Sequence, residues 1–166
     1  SFPRANYGLN INLSYKGFSF STLFQGATRF DMYLGSVLMM SDANTGSSPT
    51  YEFQTDYWTP ENTDAKFPRL LSSTGNNGSN NTVGSDFWLI NGGYLRMRDI
   101  QVGYDFKRIL LKKTPWITRL NVALSGQNIF TISEATKYGI DPENGSANRY
   151  DYPNERVFAI NFGIGF

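Results

Sequence analysis

The 166-residue chain contains neither cysteine nor histidine. Disulfide bonds, cysteine nucleophiles and Ser-His-Asp triads are therefore excluded, and most zinc sites lose their usual ligands. Charged residues make up only 17% of the chain and the formal net charge is +1, so electrostatics give no support for a nucleic-acid partner. No apolar run reaches the roughly 18 residues that indicate a transmembrane helix.

Aromatic and turn-forming residues are abundant instead. The chain has 13 Phe, 10 Tyr and 3 Trp, together with 16 Gly and many Asn and Ser. This composition favours β-strands connected by tight turns. The length allows one domain, and because Ser1 lies in a loop-like stretch we expect a mature fragment or the tail of a longer protein.

The last ten residues alternate between large apolar and small side chains. One face of such a strand carries Phe158, Ile160, Phe162, Ile164 and Phe166, and the other carries only Ala, Asn and Gly. An apolar outer face opposite a small or polar inner face is typical of a transmembrane barrel strand in contact with lipid. Phe166 also resembles the terminal aromatic residue by which outer-membrane barrels of bacteria are recognised for assembly.

Period-two patterns predict an all-β, antiparallel fold with five strands. The strands are expected near 7–16, 18–30, 94–106, 118–131 and 157–166, with long extracellular loops near 31–93 and 132–156. Five strands cannot close, because the smallest membrane barrels have about eight. The sequence therefore predicts a segment of a larger barrel, and the alternation of short and long connections places the C-terminus on the periplasmic side.

Two arginines conflict with a simple alternation in the third predicted strand. Arg96 and Arg98 would share the apolar face with Ile100, at a cost of about 2–4 kcal/mol each at the middle of the bilayer. Either both arginines lie beyond the membrane, or a β-bulge near Asp99 moves them to the other face.

Several motifs resemble the SusC/RagA family of TonB-dependent outer-membrane transporters of Bacteroidetes. They occur in family order and span most of residues 7–166. The motifs are Trp58-Thr59-Pro60-Glu61-Asn62, Pro68-Arg69-Leu70, Asp86-Phe87-Trp88-Leu89, Tyr94-Leu95-Arg96-Met97-Arg98-Asp99-Ile100, Ser125-Gly126-Gln127-Asn128-Ile129-Phe130 and Gly139-Ile140-Asp141-Pro142-Glu143.

This resemblance implies that residues 1–166 are the C-terminal part of a receptor barrel of about 22 strands, whose plug domain lies outside the chain. It further implies active import of oligosaccharides or peptides across the bacterial outer membrane. The implied partners are a SusD-like surface lipoprotein as a lid, TonB-ExbB-ExbD through the missing N-terminal part, outer-membrane lipid and the rest of the same barrel. No cofactor, metal or catalytic residue is implied, so we do not expect an enzyme.

The aromatic residues of the long loop are candidate contacts to substrate or to the lid. Tyr51, Tyr57 and Trp58 are able to stack on a ligand, or alternatively to fix the loop onto the barrel rim. A glycosidase-like acid pair among Asp56, Glu61 and Asp64, or formed by Asp141 and Glu143, is disfavoured, because nothing in the sequence raises a carboxylate pKa recognisably. The alternative to a transporter is a soluble β-sandwich that binds glycans through aromatic loops. The two differ in whether the apolar face is hidden or exposed.

Overall fold

The computed structural model describes residues 3–34, 55–69, 83–106, 116–144 and 154–166. The chain divides into two units. The sheet unit comprises Pro3–Arg29, Gly93–Ser133 and Pro153–Phe166, and the loop unit comprises Ser1–Phe2, Phe30–Gly92 and Glu134–Tyr152. No helix within the described ranges is long and apolar enough to cross a membrane.

The described residues form seven strands and three short 3-10 helices. The strands are β1 (Asn6–Tyr15), β2 (Phe18–Ala27), β3 (Asp31–Tyr33), β4 (Leu89–Asn91), β5 (Tyr94–Asp105), β6 (Arg119–Ser133) and β7 (Val157–Gly165). The 3-10 helices are Asp86–Trp88, Ala135–Tyr138 and Pro142–Asn144. An all-β, antiparallel fold is thereby confirmed.

The sheet unit is one five-stranded antiparallel sheet. Its strand order is β1-β2-β5-β6-β7, and each neighbouring pair is antiparallel. The five strands are 9 to 15 residues long. A tilted transmembrane strand needs about 9–11 residues, so each strand is long enough to span a bilayer.

The strand ends differ from the predicted ones where the chain passes into the loop unit. The strand predicted over 18–30 ends at Ala27, and the N–H of the next residue, Thr28, donates to the carbonyl of Ala5 at 2.9 Å. The strand predicted over 118–131 continues to Ser133, whose side-chain hydroxyl bonds to the carbonyl of Gly93 at 3.0 Å.

The loop predicted over 31–93 contains regular structure. β3 and β4 pair as a two-stranded antiparallel sheet, with Met32 opposite Ile90. Both side chains are buried, at 2% and 6% exposure. Strands of three residues are too short to produce a recognisable alternation, which explains why the sequence pattern did not reveal them.

A β-bulge interrupts the third strand of the sheet, β5. Leu23 of β2 pairs with Asp99 and the next residue, Phe24, pairs with Met97, so Arg98 is the extra residue. The pairing with β6 shifts at the same level, where Met97 pairs with Phe130 and Asp99 with Gln127. Because side chains alternate with a period of two, one extra residue reverses the face of everything beyond it on β5.

Candidate functional site

One face of the five-stranded sheet is almost entirely apolar. The pairing register places apolar residues of neighbouring strands beside one another on this face. Phe162 of β7 lies beside Val122 of β6, and Val122 lies beside Tyr104 of β5. On β1 and β2 the same face holds Leu9, Leu13, Phe18, Phe20 and Phe24. We call this surface the apolar face.

The predicted residues of the last strand are strongly exposed on the apolar face. Phe158, Ile160, Phe162 and Ile164 are 59–74% exposed, and Phe166, just beyond the end of β7, is 82% exposed. Leu13 and Leu124 on other strands are also more than half exposed. Contiguous exposed apolar surface of this kind marks contact with a membrane or another protein.

The opposite face is mainly polar or small, and Leu23, Tyr94 and Val157 are its exceptions. It carries Asn10, Asn12, Ser19, Ser21, Gln101, Asn121, Ser125 and Asn161, together with glycine and alanine. Some of these side chains bond to one another, as Asn161 does when its Nδ2 donates to Oγ of Ser125 at 3.3 Å. The sheet therefore has the two-sided pattern of a transmembrane barrel wall.

The β-bulge moves Arg96 away from the apolar face. Across the sheet Arg96 lies beside Gln25 and Thr131, both on the polar face. Its guanidinium Nε donates to Oγ1 of Thr131 at 2.8 Å, and the residue is only 2% exposed. Of the two explanations that the sequence left open, the β-bulge is confirmed for Arg96. The hydrogen bond to Thr131 gives the buried guanidinium a polar partner.

A single polar residue, Thr22, lies among the apolar side chains of the face at the level of the bulge. It is 4% exposed, and its Oγ1 donates to the carbonyl of Asp99 at 3.0 Å. Asp99 is the residue at which the pairing of β5 with β2 and β6 shifts. Thr22 therefore supplies a donor where hydrocarbon would offer none.

The Ser125–Phe130 motif forms the β6 side of the same irregularity. Asn128 adopts a left-handed backbone conformation (φ 52°), and its Nδ2 donates to the carbonyl of Glu155 at 3.0 Å. Asn tolerates this conformation better than most residues. A Cβ at Gly126 would lie 2.5 Å from Cδ1 of Ile129, so a larger residue there would require the Ile129 side chain to move.

Aromatic rings gather at the end of the sheet that holds the Lys16-Gly17 turn. The rings of Trp116 and Phe166 stack with centroids 6.1 Å apart and an interplanar angle of 3°. The rings of Tyr104 and Phe106 meet edge to face at 4.9 Å. Aromatic girdles of this kind mark the level of the lipid head groups in outer-membrane barrels.

In the loop unit, residues 55–69 form a hydrogen-bonded loop that includes two of the candidate aromatic residues. Tyr57 forms a parallel bridge with Phe67, and the N–H of Trp58 donates to the carbonyl of Phe67 at 2.9 Å. The Asp56 carboxylate accepts from the N–H of Lys66 and from Nδ2 of Asn62, both at 3.3 Å. These bonds support a scaffold role for this segment. Tyr51 lies outside the described residues.

Trp58 also lines a cavity of about 490 Å³, which we call the loop pocket. Its other main walls are Lys66, Phe67, Arg69, Phe87 and Trp88. The rings of Phe67 and Trp88 stack at 6.3 Å, and Phe87 meets Trp88 edge to face at 4.9 Å. Of these six residues only Trp58 is a candidate ligand contact from the sequence, since only the fold brings residues near 67 and 87 together.

Asp141, one of the acids considered for catalysis, has structural partners. Oδ1 of Asp141 accepts from the N–H of Glu143 at 3.0 Å, and the carbonyl of Asp141 accepts from the N–H of Asn144 at 3.2 Å. Asp141 thus begins the 3-10 helix Pro142–Asn144. In the part of the chain that the structure describes, no group of three or more acidic residues is placed to hold a metal ion.

The known proteins to which this chain is similar are receptors and importers, not enzymes. No protein-family model matches the chain. It is 29% identical over 172 residues to TonB-dependent receptor P39 of Formosa agariphila, covering 96% of this chain and 16% of the receptor. It is 24% identical over 177 residues to TonB-dependent receptor P3 of the same organism, covering 99% of this chain and 16% of the receptor. The chain thus spans about a sixth of the length of these relatives.

The fold is similar to that of the RagAB peptide importer. The structure in the open-open state matches with a TM-score of 0.74 and 20% identity, over 99% of this chain and 17% of that chain. The closed-closed state matches with a TM-score of 0.72 and 19% identity. The predicted resemblance is confirmed, and this chain is similar over almost its whole length to a segment of the barrel of SusC/RagA-type TonB-dependent transporters.

Proposed function

We propose that this chain forms part of the lipid-contacting wall of an outer-membrane barrel that imports a nutrient with energy delivered by TonB. The observation that carries the proposal is the continuous apolar face, on which side chains such as Phe158, Phe162 and Leu13 are 62–74% exposed. The polar face on the other side of the same strands is the surface expected to line the barrel interior.

The proposal includes the partners that a transporter of this type requires. We infer a SusD-like surface lipoprotein as a lid, supported by the two-component RagAB importer to which the fold is similar. We also infer coupling to TonB-ExbB-ExbD through parts of the protein beyond this chain. Oligosaccharides and peptides are both candidate substrates, and the RagAB likeness favours peptides.

The orientation of the sheet belongs to the same proposal. The end of the sheet with Trp116, Phe166 and the Lys16-Gly17 turn is proposed to face the periplasm. Short turns on one side and long loops on the other support this orientation, since outer-membrane barrels have short periplasmic turns.

Cells that produce the full-length protein provide the test. The protein is expected in the outer-membrane fraction, with the heat-dependent electrophoretic migration of a folded barrel. Uptake of labelled oligopeptides or oligosaccharides is expected to stop when TonB is deleted. A full-length protein that is soluble and monomeric without detergent would contradict the proposal and favour the glycan-binding sandwich.

The sandwich alternative finds no support in the described residues. A sandwich packs the apolar faces of two sheets against each other. The five-stranded sheet instead exposes its apolar side chains, and the other described sheet has two strands of three residues each.

A further inference from the structure

The loop pocket has the dimensions of a site for a small ligand. Its volume of about 490 Å³ lies within the range of roughly 300–1,000 Å³ that such sites occupy. Phe67 and Trp88 are 9% and 3% exposed and form the buried part of the pocket wall. Trp58 and Phe87 are 37% and 53% exposed and are therefore accessible to a ligand.

Among the described residues that line the loop pocket, the charged side chains are all cations. They are Lys66 and Arg69, and no acidic residue is among the described lining residues. Lys66 Nζ lies 4.9 Å from the ring centroid of Tyr138 and donates to the hydroxyl of Tyr138. An ammonium group has three donors, so Lys66 retains the capacity to bind an anion.

The distribution of donors and acceptors favours a carboxylate over a neutral sugar. Among the described lining residues, Ser85 is the one whose side chain offers an acceptor oxygen, whereas the side chains of Lys66 and Arg69 only donate. Sugar hydroxyl groups need acceptors as well as donors, so a neutral sugar in this pocket would depend on backbone carbonyls for most of its acceptors. A carboxylate accepts from cations without donating, and an adjacent apolar side chain gains from contact with Phe87 and Trp58.

We propose that the loop pocket binds the C-terminal residue of a peptide, with its apolar side chain against Trp58 and Phe87 and its carboxylate facing Lys66. This inference rests on the proposed import function and specifies its substrate class. It assigns the recognition of one end of the cargo to the loop unit.

The test uses the purified full-length transporter in detergent and the tripeptide Ala-Ala-Phe, with its C-terminal amide as the matched ligand. The free acid is expected to bind about tenfold more tightly than the amide. Lys66→Gln should weaken binding of the acid by about tenfold and leave the amide unchanged. Phe87→Ala should weaken both ligands, and Lys137→Gln, an exposed cation outside the pocket lining, should weaken neither.

Three results would overturn the inference. Equal binding of acid and amide would show that the pocket does not recognise the carboxylate. Binding of an oligogalacturonate in place of the peptide would indicate a carbohydrate site. A loss of affinity for the co-purified lipoprotein in Lys66→Gln and Phe87→Ala, with peptide binding unchanged, would make the pocket a docking surface. If the variants still reach the outer membrane and retain TonB-dependent uptake in any of these cases, the proposed transport function stands.

Discussion

At the scale of single residues, the most informative positions are polar ones within apolar surroundings. Arg96 is charged and 2% exposed, yet the bulge turns it to the polar face, where Thr131 accepts its hydrogen bond. Thr22 stays on the apolar face and bonds to the carbonyl of Asp99. Both residues follow one rule, because a polar group removed from water requires a partner within the protein.

Thr22→Val is expected to destabilise the folded full-length barrel by about 1–3 kcal/mol, since the carbonyl of Asp99 loses the hydrogen bond from the Thr22 hydroxyl in a site where lipid offers no replacement. The measurement is the free energy of unfolding in urea in lipid vesicles. Thr22→Ser keeps the hydroxyl and serves as the matched control. Equal destabilisation by Val and Ser would show that packing, and not the hydrogen bond, determines the role of Thr22.

At the scale of elements, the bulge in β5 is the feature that makes the sheet two-sided along its full length. Below the bulge Ile100, Val102 and Tyr104 lie on the apolar face, and above it Leu95 and Met97 do. Without the extra residue Arg98, one end of β5 would present the wrong face. The motifs around Arg98 and Asn128, which carried the family resemblance, are the two sides of this one irregularity.

Arginine substitutions at neighbouring positions of β5 test the assignment of faces. Val102→Arg is expected to cost about 2–4 kcal/mol in the lipid-embedded barrel, because the charge would face hydrocarbon. Gln101→Arg, one residue away on the polar face, is expected to change stability by less than about 1 kcal/mol.

Urea titration of both variants in the same vesicles measures the difference. A larger loss for Gln101→Arg than for Val102→Arg would reverse the two faces and contradict the assignment.

At the scale of the whole molecule, the five strands are part of a wall that needs further strands. Both β1 and β7 are edge strands of the sheet. Open edges do not occur in the hydrocarbon region, so each is expected to pair with a strand from outside this chain. We therefore expect Phe166 to act during assembly of the complete barrel.

Phe166→Ala is expected to lower the amount of folded barrel in the outer membrane several-fold while leaving total synthesis unchanged. The physical reason is the loss of an exposed ring, 82% accessible and stacked on Trp116, that is proposed to serve as the assembly signal. Heat-dependent migration of the outer-membrane fraction provides the measurement. Phe166→Tyr preserves the ring and is expected to assemble normally, and normal assembly of the Ala variant would contradict the signal role.

The sequence by itself determined the strands and their faces wherever alternation is long and strict. Nine residues of β7 are enough to specify a lipid-facing side, since every side chain alternates and no competing pattern is present. The motifs likewise predicted the transporter resemblance. Only the tertiary structure decided between the two explanations for Arg96, because the presence of a bulge depends on the pairing of β5 with β2 and β6. The tertiary structure also revealed the loop pocket. Its walls are separated in the sequence and become neighbours only through hydrogen bonds and ring contacts between distant segments.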